Sequence, residues 1–276
     1  MKGDLHIHTS VSDGCVSPQE LVRAAAESGL SFFAVTDHNT VDGIAQVEAG
    51  LSDDAGSFVR GVELSAQPPE GPEIHVLGYG VDPDNASLLA FCRDIIQRKI
   101  EQLREIVYRL RRDGVDAAGI AAPDEGAKHY PGRPAVARQL VRAGVVDSFS
   151  QAFWKFLGET APTYVPMRML EPQSCVEIIH EAGGLAVLAH PSIEIIDGWI
   201  AALSDAGLDG VEAYRPSLNG NAQLYVEKAA EHFRLLTTGG SDWHGRPSER
   251  PLGQFTVTAR QLDDFFAALG DGRRPG

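Results

Sequence analysis

Along the chain the spacing of apolar residues switches repeatedly between a period near two and one near three and a half. Short apolar runs suited to strands occur in DLHIH (4–8), SFFAVTDHN (31–39), FVRGVELSA (58–66) and EIHVLGYGV (73–81). Amphipathic helical stretches at 18–28 and 41–49 separate the first three. The rhythm returns after Pro172: helix 172–182, strand LAVLAHP (185–191), helix 199–206, strand LDGVEAY (208–214), helix 222–232, strand RLLTTGGSD (234–242) and a closing helix at 261–269. Strands alternating with helices in this way predict an α/β parallel sheet or barrel.

Between these halves the pattern differs. From about Asp84 to Pro166 the chain is dominated by SLLAFCRDIIQRKIEQLREIVYRLRRDG, with Ile95, Ile96, Ile100, Leu103, Ile106, Val107 and Leu110 at helical spacing among charged residues. Gly114 supplies a helix stop, and YPGRP marks a loop before a further helix at 135–143. The expected division is therefore a barrel from 1–83 and 167–276, interrupted by a helical insertion at 84–166.

Composition adds exclusions. The 276 residues are 43% hydrophobic and 22% charged, enough to bury a sizeable core. No apolar run is long enough to span a bilayer, and no leader pattern opens the sequence, so a cytoplasmic protein without a membrane partner is expected. Cys15, Cys92 and Cys175 are odd in number and form no CxxC, which argues against a disulfide framework or a thiolate zinc site. A formal charge of -14 excludes a protein whose main task is coating nucleic acid. Bound cations would reverse that sign locally.

Six stretches, DLHIH, TDHN, GVELS, EIHVLGY, LAHP and GGSDWH, place histidines and acids at or just beyond the ends of expected strands. In a parallel barrel those ends share one face. His6 and His8, two apart, project to one side of a strand and can chelate one metal. Imidazole with carboxylate suits zinc, iron or manganese in an open, hydrolytic site. Taken alone, each histidine has an ordinary structural explanation; six motifs together do not. His180 and His232, inside amphipathic helices, are read as structural.

DLHIHTSVSDG, TDHN, GVELS, AHP and GSDWH, in this order and spacing, resemble the PHP family, named from polymerase and histidinol phosphatase. The resemblance covers nearly the whole chain. Within the family, GRPAVARQLVRAGVV followed by FLGETAPTYVP resembles stand-alone phosphoesterases that act on nucleoside 3',5'-bisphosphates or trim RNA from its 5' end. It implies a distorted TIM-like barrel of seven β/α units with divalent metals, two or three per chain, at the strand ends. One ion would be held by His6, His8, Glu63 and Asp242. A second would share Glu63 with His75 and His190, and a third would use Asp13, His38 and His244. A carboxylate bridging two cations lets them share a water and a substrate oxygen, the arrangement expected for hydrolysis by a metal-activated hydroxide.

The resemblance also nominates Arg133, in GRP, as the group gripping substrate phosphate in the reaction. Arg215 after VEAY and His129 in the insertion are further substrate-contact candidates. Asp37, beside His38, is expected either to orient a ligand histidine or to take part in proton transfer. Family members often carry His after GRP, where this chain has Ala135, and soon after VEAY, where it has Ser217, Asn219 and Asn221. The resemblance thus implies a retained ligand set and a changed substrate pocket. The expected function is metal-dependent phosphoesterase activity on a phosphate monoester or diester of a nucleotide or short oligonucleotide, with RNA or DNA ends as the larger partner class. The competing readings are a histidinol-phosphate phosphatase, a C–N bond hydrolase and a non-catalytic metal-binding scaffold.

Overall fold

A computed structural model describes residues 1–52, 55–68, 71–116, 119–121, 132–167 and 169–270. The chain divides into two compact units, Met1–Cys92 with Met169–Gly276, and Arg93–Arg168.

The first unit is built on one eight-stranded sheet. Its strands are β1 (Lys2–Asp4), β2 (Phe32–Val35), β3 (Ser57–Ala66), β4 (Ile74–Tyr79), β5 (Leu185–Leu188), β6 (Gly210–Tyr214), β7 (Leu236–Gly239) and β8 (Val257–Thr258). The spatial order is β7-β6-β5-β4-β3-β2-β1-β8. Beyond Asp4 the chain runs alongside the segment that follows β7. Leu5 N–H donates to Gly239 O at 3.2 Å, Trp243 N–H to His6 O at 3.3 Å and His8 N–H to Trp243 O at 2.8 Å. The sheet therefore curls into a nearly closed barrel of the distorted TIM type.

Two strands differ from the all-parallel expectation. β1/β2, β2/β3, β5/β6 and β6/β7 are parallel, but β4 is antiparallel to both neighbours, and β8 is antiparallel to β1. Only residues 67–73 connect β3 to β4, too few for a parallel crossover, which takes a dozen or more. His75 consequently lies near the start of β4 rather than its end. The reversal still pairs it with Ser65, two positions from Glu63, so it reaches the same end of the barrel. Tyr79, the last residue of β4, is paired with Leu185, the first of β5.

The core explains why these strands are apolar on both faces. In β2, Phe32 and Ala34 join a cluster with Leu5, Val59, Leu77, Tyr79 and Val187, covered by Phe265 and Phe266 of the last helix (Asp263–Leu269). Phe33 and Val35 face the other way, under Leu21, Val22 and Val47 of α1 (Pro18–Glu27) and α2 (Ile44–Gly50). α1 starts on a reciprocal cap: Ser17 accepts from Glu20 N–H while the Glu20 carboxylate accepts from Ser17 N–H. The helix expected at 199–206 instead spans Ile193–Asp205, because Ser192 caps its N-terminus and Gly198 is tolerated inside it.

In the second unit the part of α3 (Ala86–Arg112) beyond Cys92 presents Leu103, Ile106, Val107 and Leu110 to Val136, Ala137 and Leu140 of α4 (Arg133–Arg142). α5 (Phe149–Ala152) runs on into a π-helical turn, Phe153–Leu157. Among the described residues no helix is long and apolar enough to cross a membrane.

Candidate metal centre

Glu63 on β3 is the hub of the polar end of the barrel, and it is completely buried. Its Oε1 lies 2.8 Å from His75 Nδ1 and 2.9 Å from His190 Nε2. Its Oε2 lies 3.3 Å from His6 Nε2, 3.2 Å from His8 Nε2 and 3.0 Å from His38 Nδ1. Asp242 Oδ1 closes on the same two imidazoles, 3.1 Å from His8 Nε2 and 3.5 Å from His6 Nε2. On the other side Asp13 Oδ1 stands 3.1 Å from His244 Nε2 and 3.7 Å from His38 Nε2.

All nine residues named as ligand candidates thus converge. Their donor atoms fall into overlapping groups, each within 4.8 Å: His6, His8 and Asp242; His6, Glu63 and His190; His38, Glu63 and His75; and His8, Asp13, His38 and His244. His38 belongs to two groups, so it stands between the second and third sets inferred from the resemblance. Two features fit a bound cation. The donors are imidazole and carboxylate only, and the buried atoms His8 Nε2 and Asp13 Oδ1 make no hydrogen bond.

Burial and the neighbouring charges oppose each other throughout the cluster. Burial works against charge on His8, yet the Asp242 and Glu63 carboxylates facing its Nε2 push its pKa up to about 10. His75 rises to about 10 in the same way, burial being outweighed by Glu63 and then Glu73. Burial would raise Glu63, but the surrounding His38, His75 and His6 hold it well below the usual carboxylate range. Asp242 and Asp13 are likewise held low against burial, Asp242 chiefly by His6 and His8, Asp13 chiefly by His244 and His38. In His38 burial prevails and the pKa falls.

A supporting layer aims these ligands. Glu212, in the apolar strand GVEAY, is 1% exposed; its Oε1 lies 3.0 Å from His6 Nδ1, and its Oε2 accepts from the His190 N–H at 2.8 Å. Sequence reasoning passed over Glu212. The available signal was an acid at a strand position flanked by buried apolar residues, where it must have a partner. Asp4 was missed too: it accepts from the His6 N–H at 3.2 Å and from Ser241 N–H at 2.9 Å, and burial lifts its pKa to about 6. Asp37 accepts from Thr9 N–H, Thr9 Oγ1 and Ser12 Oγ at 2.7, 2.6 and 2.5 Å. Its carboxylate therefore braces the loop that carries Asp13.

Backbone strain is concentrated here. Among the described residues the non-glycine positions with positive φ are Asn39 (51°), His190 (29°), Asp242 (55°) and Arg234 (57°), and the first three are ligand candidates or neighbours of one. Asn39 stabilises its own turn, donating N–H to Glu63 O at 2.8 Å and accepting from Ser65 N–H at 2.9 Å.

The other candidates lie as follows. Arg215 donates to Pro191 O; burial depresses its pKa while Glu212 and Asp242 oppose that. Arg133, in the Arg93–Arg168 unit, donates to Leu157 O at 3.2 Å and stands 5.5 Å over the Tyr164 ring. His129 lies outside the described residues. His180 pairs with Asp209 at 2.8 Å and His232 packs edge-on against Phe233.

Residues 4–130 match the PHP domain family. A 5'-3' exoribonuclease of Haemophilus influenzae is 31% identical over 252 residues, covering 88% of this chain and 90% of that protein. A 3',5'-nucleoside bisphosphate phosphatase of Chromobacterium violaceum is also 31% identical over 252 residues, covering 87% and 86%. Among solved structures, a putative metal-dependent phosphoesterase of Bifidobacterium adolescentis superposes with a TM-score of 0.82 at 27% identity, over 98% of this chain and 96% of that one.

Proposed function

The chain belongs to the PHP family and is a metal-dependent phosphoesterase, and from that premise we propose that it hydrolyses a phosphate ester of a nucleotide or of a short oligonucleotide end. The observation that carries the reading is Glu63, whose two carboxylate oxygens are shared among five imidazoles and so suit a bridge between cations. The relatives that resemble it over most of their length act, by name, on RNA and on nucleoside bisphosphates.

His6, His8, Glu63 and Asp242 would hold one cation, Glu63, His75 and His190 a second, and Asp13, His38 and His244 a third, with manganese, zinc or iron as the metals this donor set suits. Such ions, once bound, lower the pKa of coordinated water and offset the charge of a phosphoryl group. The chain's own residues prepare that site. Glu212 keeps the His6 ring turned so that Nε2, not Nδ1, faces Glu63. Asp37, with three donors on its carboxylate, serves as a positioning residue for the Asp13 loop rather than as a free base. Arg133, on the strength of the resemblance, grips a substrate phosphate, and Arg215 is a second candidate for that contact. The three free cysteines, two of them buried, fit a cytoplasmic setting.

A phosphate-release assay comparing adenosine 3',5'-bisphosphate, 5'-phosphorylated dinucleotides and histidinol phosphate tests the substrate class. Turnover of either nucleotide substrate is expected; turnover of histidinol phosphate alone overturns the reading. Arg133→Ala is expected to raise KM for the nucleotide more than it lowers kcat.

A further inference from the structure

The donor group built on Asp13 is anchored unlike the others. Asp13 sits on a loop, and its two oxygens have separate duties. Oδ2 accepts from Arg246 Nη2 at 3.0 Å. Oδ1 makes no hydrogen bond and stays 3.1 Å from His244 Nε2. The same guanidinium donates from Nη1 to Glu249 Oε1 at 3.3 Å. Glu249 Oε2 in turn accepts from the backbone N–H of His244 at 2.9 Å and of Arg246 at 3.2 Å. The contacts close a ring from Asp13 through Arg246 and Glu249 to His244, the residue that faces Asp13. Two ligand candidates far apart in sequence are thus set against each other by one side chain.

We infer that Arg246 is the positioning residue for this part of the centre: by holding Oδ2 it fixes Asp13 as a single-oxygen ligand, and so decides whether the outer cation is retained. The inference rests on the metal assignment made above. A planar guanidinium can engage two carboxylates in fixed directions at once, whereas an ammonium acts as a compact point charge without that fork. The position also grades the sites. The inner groups draw on Glu63 and Asp242, while the outer one has a single carboxylate whose charge Arg246 already offsets. The outer ion is therefore the more weakly held, and its retention depends on geometry.

The test is a cobalt(II) titration of the metal-free full-length protein, followed by d–d absorption, with bound metal counted after gel filtration. Wild type is expected to hold one equivalent more than Arg246→Ala, with the inner equivalents unchanged. Arg246→Lys should behave like Arg246→Ala. Full wild-type stoichiometry and spectrum in Arg246→Ala, tighter binding there, or recovery of the missing equivalent by lysine would each overturn the inference. Arg246 is partly exposed, so the fold should tolerate its loss; if the variant melts early, Glu249→Gln frees the same guanidinium and takes its place. Should wild type bind no cobalt, the metal assignment itself fails, and a crystal structure of metal-free Arg246→Ala still decides the positioning. Asp13 Oδ1 is expected beyond about 4 Å from His244 Nε2, outside hydrogen-bond range, and an unmoved carboxylate overturns it.

Discussion

The ligand cluster has two halves built from different material. His6, His8 and Glu63 are fully buried on or just past strands, and their outer partners, Glu212 and Asp4, are buried as well. Asp13, His38 and His244 sit on connections, retain some exposure and are braced by Asp37, Arg246 and Glu249, of which Arg246 and Glu249 are partly open to solvent. In the first half the sheet supplies position and the side chains supply charge. In the second half charged side chains must supply both. The difference teaches that one centre can contain a rigid part and an adjustable part, and that disturbing each should have different consequences.

The largest effect should come from the carboxylate that closes on the rigid half from outside, Asp242, whose own side chain is 44% exposed. Asp242→Asn removes a carboxylate facing two imidazoles and is expected to lower phosphatase activity about a thousandfold, since the cations supply several kcal/mol of transition-state stabilisation. Asp13→Asn should cost clearly less in the same kcat/KM measurement. Equal losses would erase the distinction between the halves.

Next comes the support of the rigid half. Glu212→Gln keeps the shape but removes the charge behind His6, and should weaken metal affinity by roughly 10- to 100-fold in a competitive chelator titration. A variant loading as wild type does would mean that the strand alone positions His6.

The pairing of imidazoles with carboxylates gives a third test. In the metal-free protein His8 and His75 have pKa values raised to about 10 from an ordinary 6.5, so their contribution to stability is complete below about pH 6.5 and is lost as pH rises through 10. Glu63 and Asp242 are depressed, so theirs is present above the ordinary carboxylate range and is lost as pH falls below it. Chelator-treated protein should therefore melt highest at mildly acid pH and lower toward pH 9. Added cations must compete with protons for the imidazoles, so metal affinity should rise with pH. A chelated protein more stable at pH 9 than at pH 6 would contradict the ion pairing assigned to the rigid half.

The smallest effect should be Asp37→Asn. Losing part of a buried three-donor site is expected to cost about 1–3 kcal/mol of stability in denaturant titration, with the inner cations retained. Loss of all metal would show that the Asp13 loop is not a separable part.

Much of the rigid half was readable in the chain. HIH sets two imidazoles two positions apart, the spacing that turns side chains to one side of an extended chain, and an acid among the apolar residues of GVELS needs a polar partner. The strand–helix alternation was readable for the same reason, since burial on both faces of β2 leaves a continuous apolar run. The direction of β4 was not, because apolar periodicity is the same in either direction and only the length of 67–73 decides it. β8 is two residues long and carries no period. Glu212, Arg246 and Glu249 were missed because their value lies in contacts closed over long sequence distances or within one short loop. Arg246 and Glu249, in a loop, have no spacing to betray them, whereas Glu212 did stand out as an acid between buried apolar residues.

The pairing of Tyr79 with Leu185 bears on what a change of chain length does to the sheet. The chain leaves the sheet after Tyr79 and rejoins it at Leu185, and those two residues are partners in the ladder. Segments can be lengthened, shortened or exchanged at that seam without shifting the register of any strand.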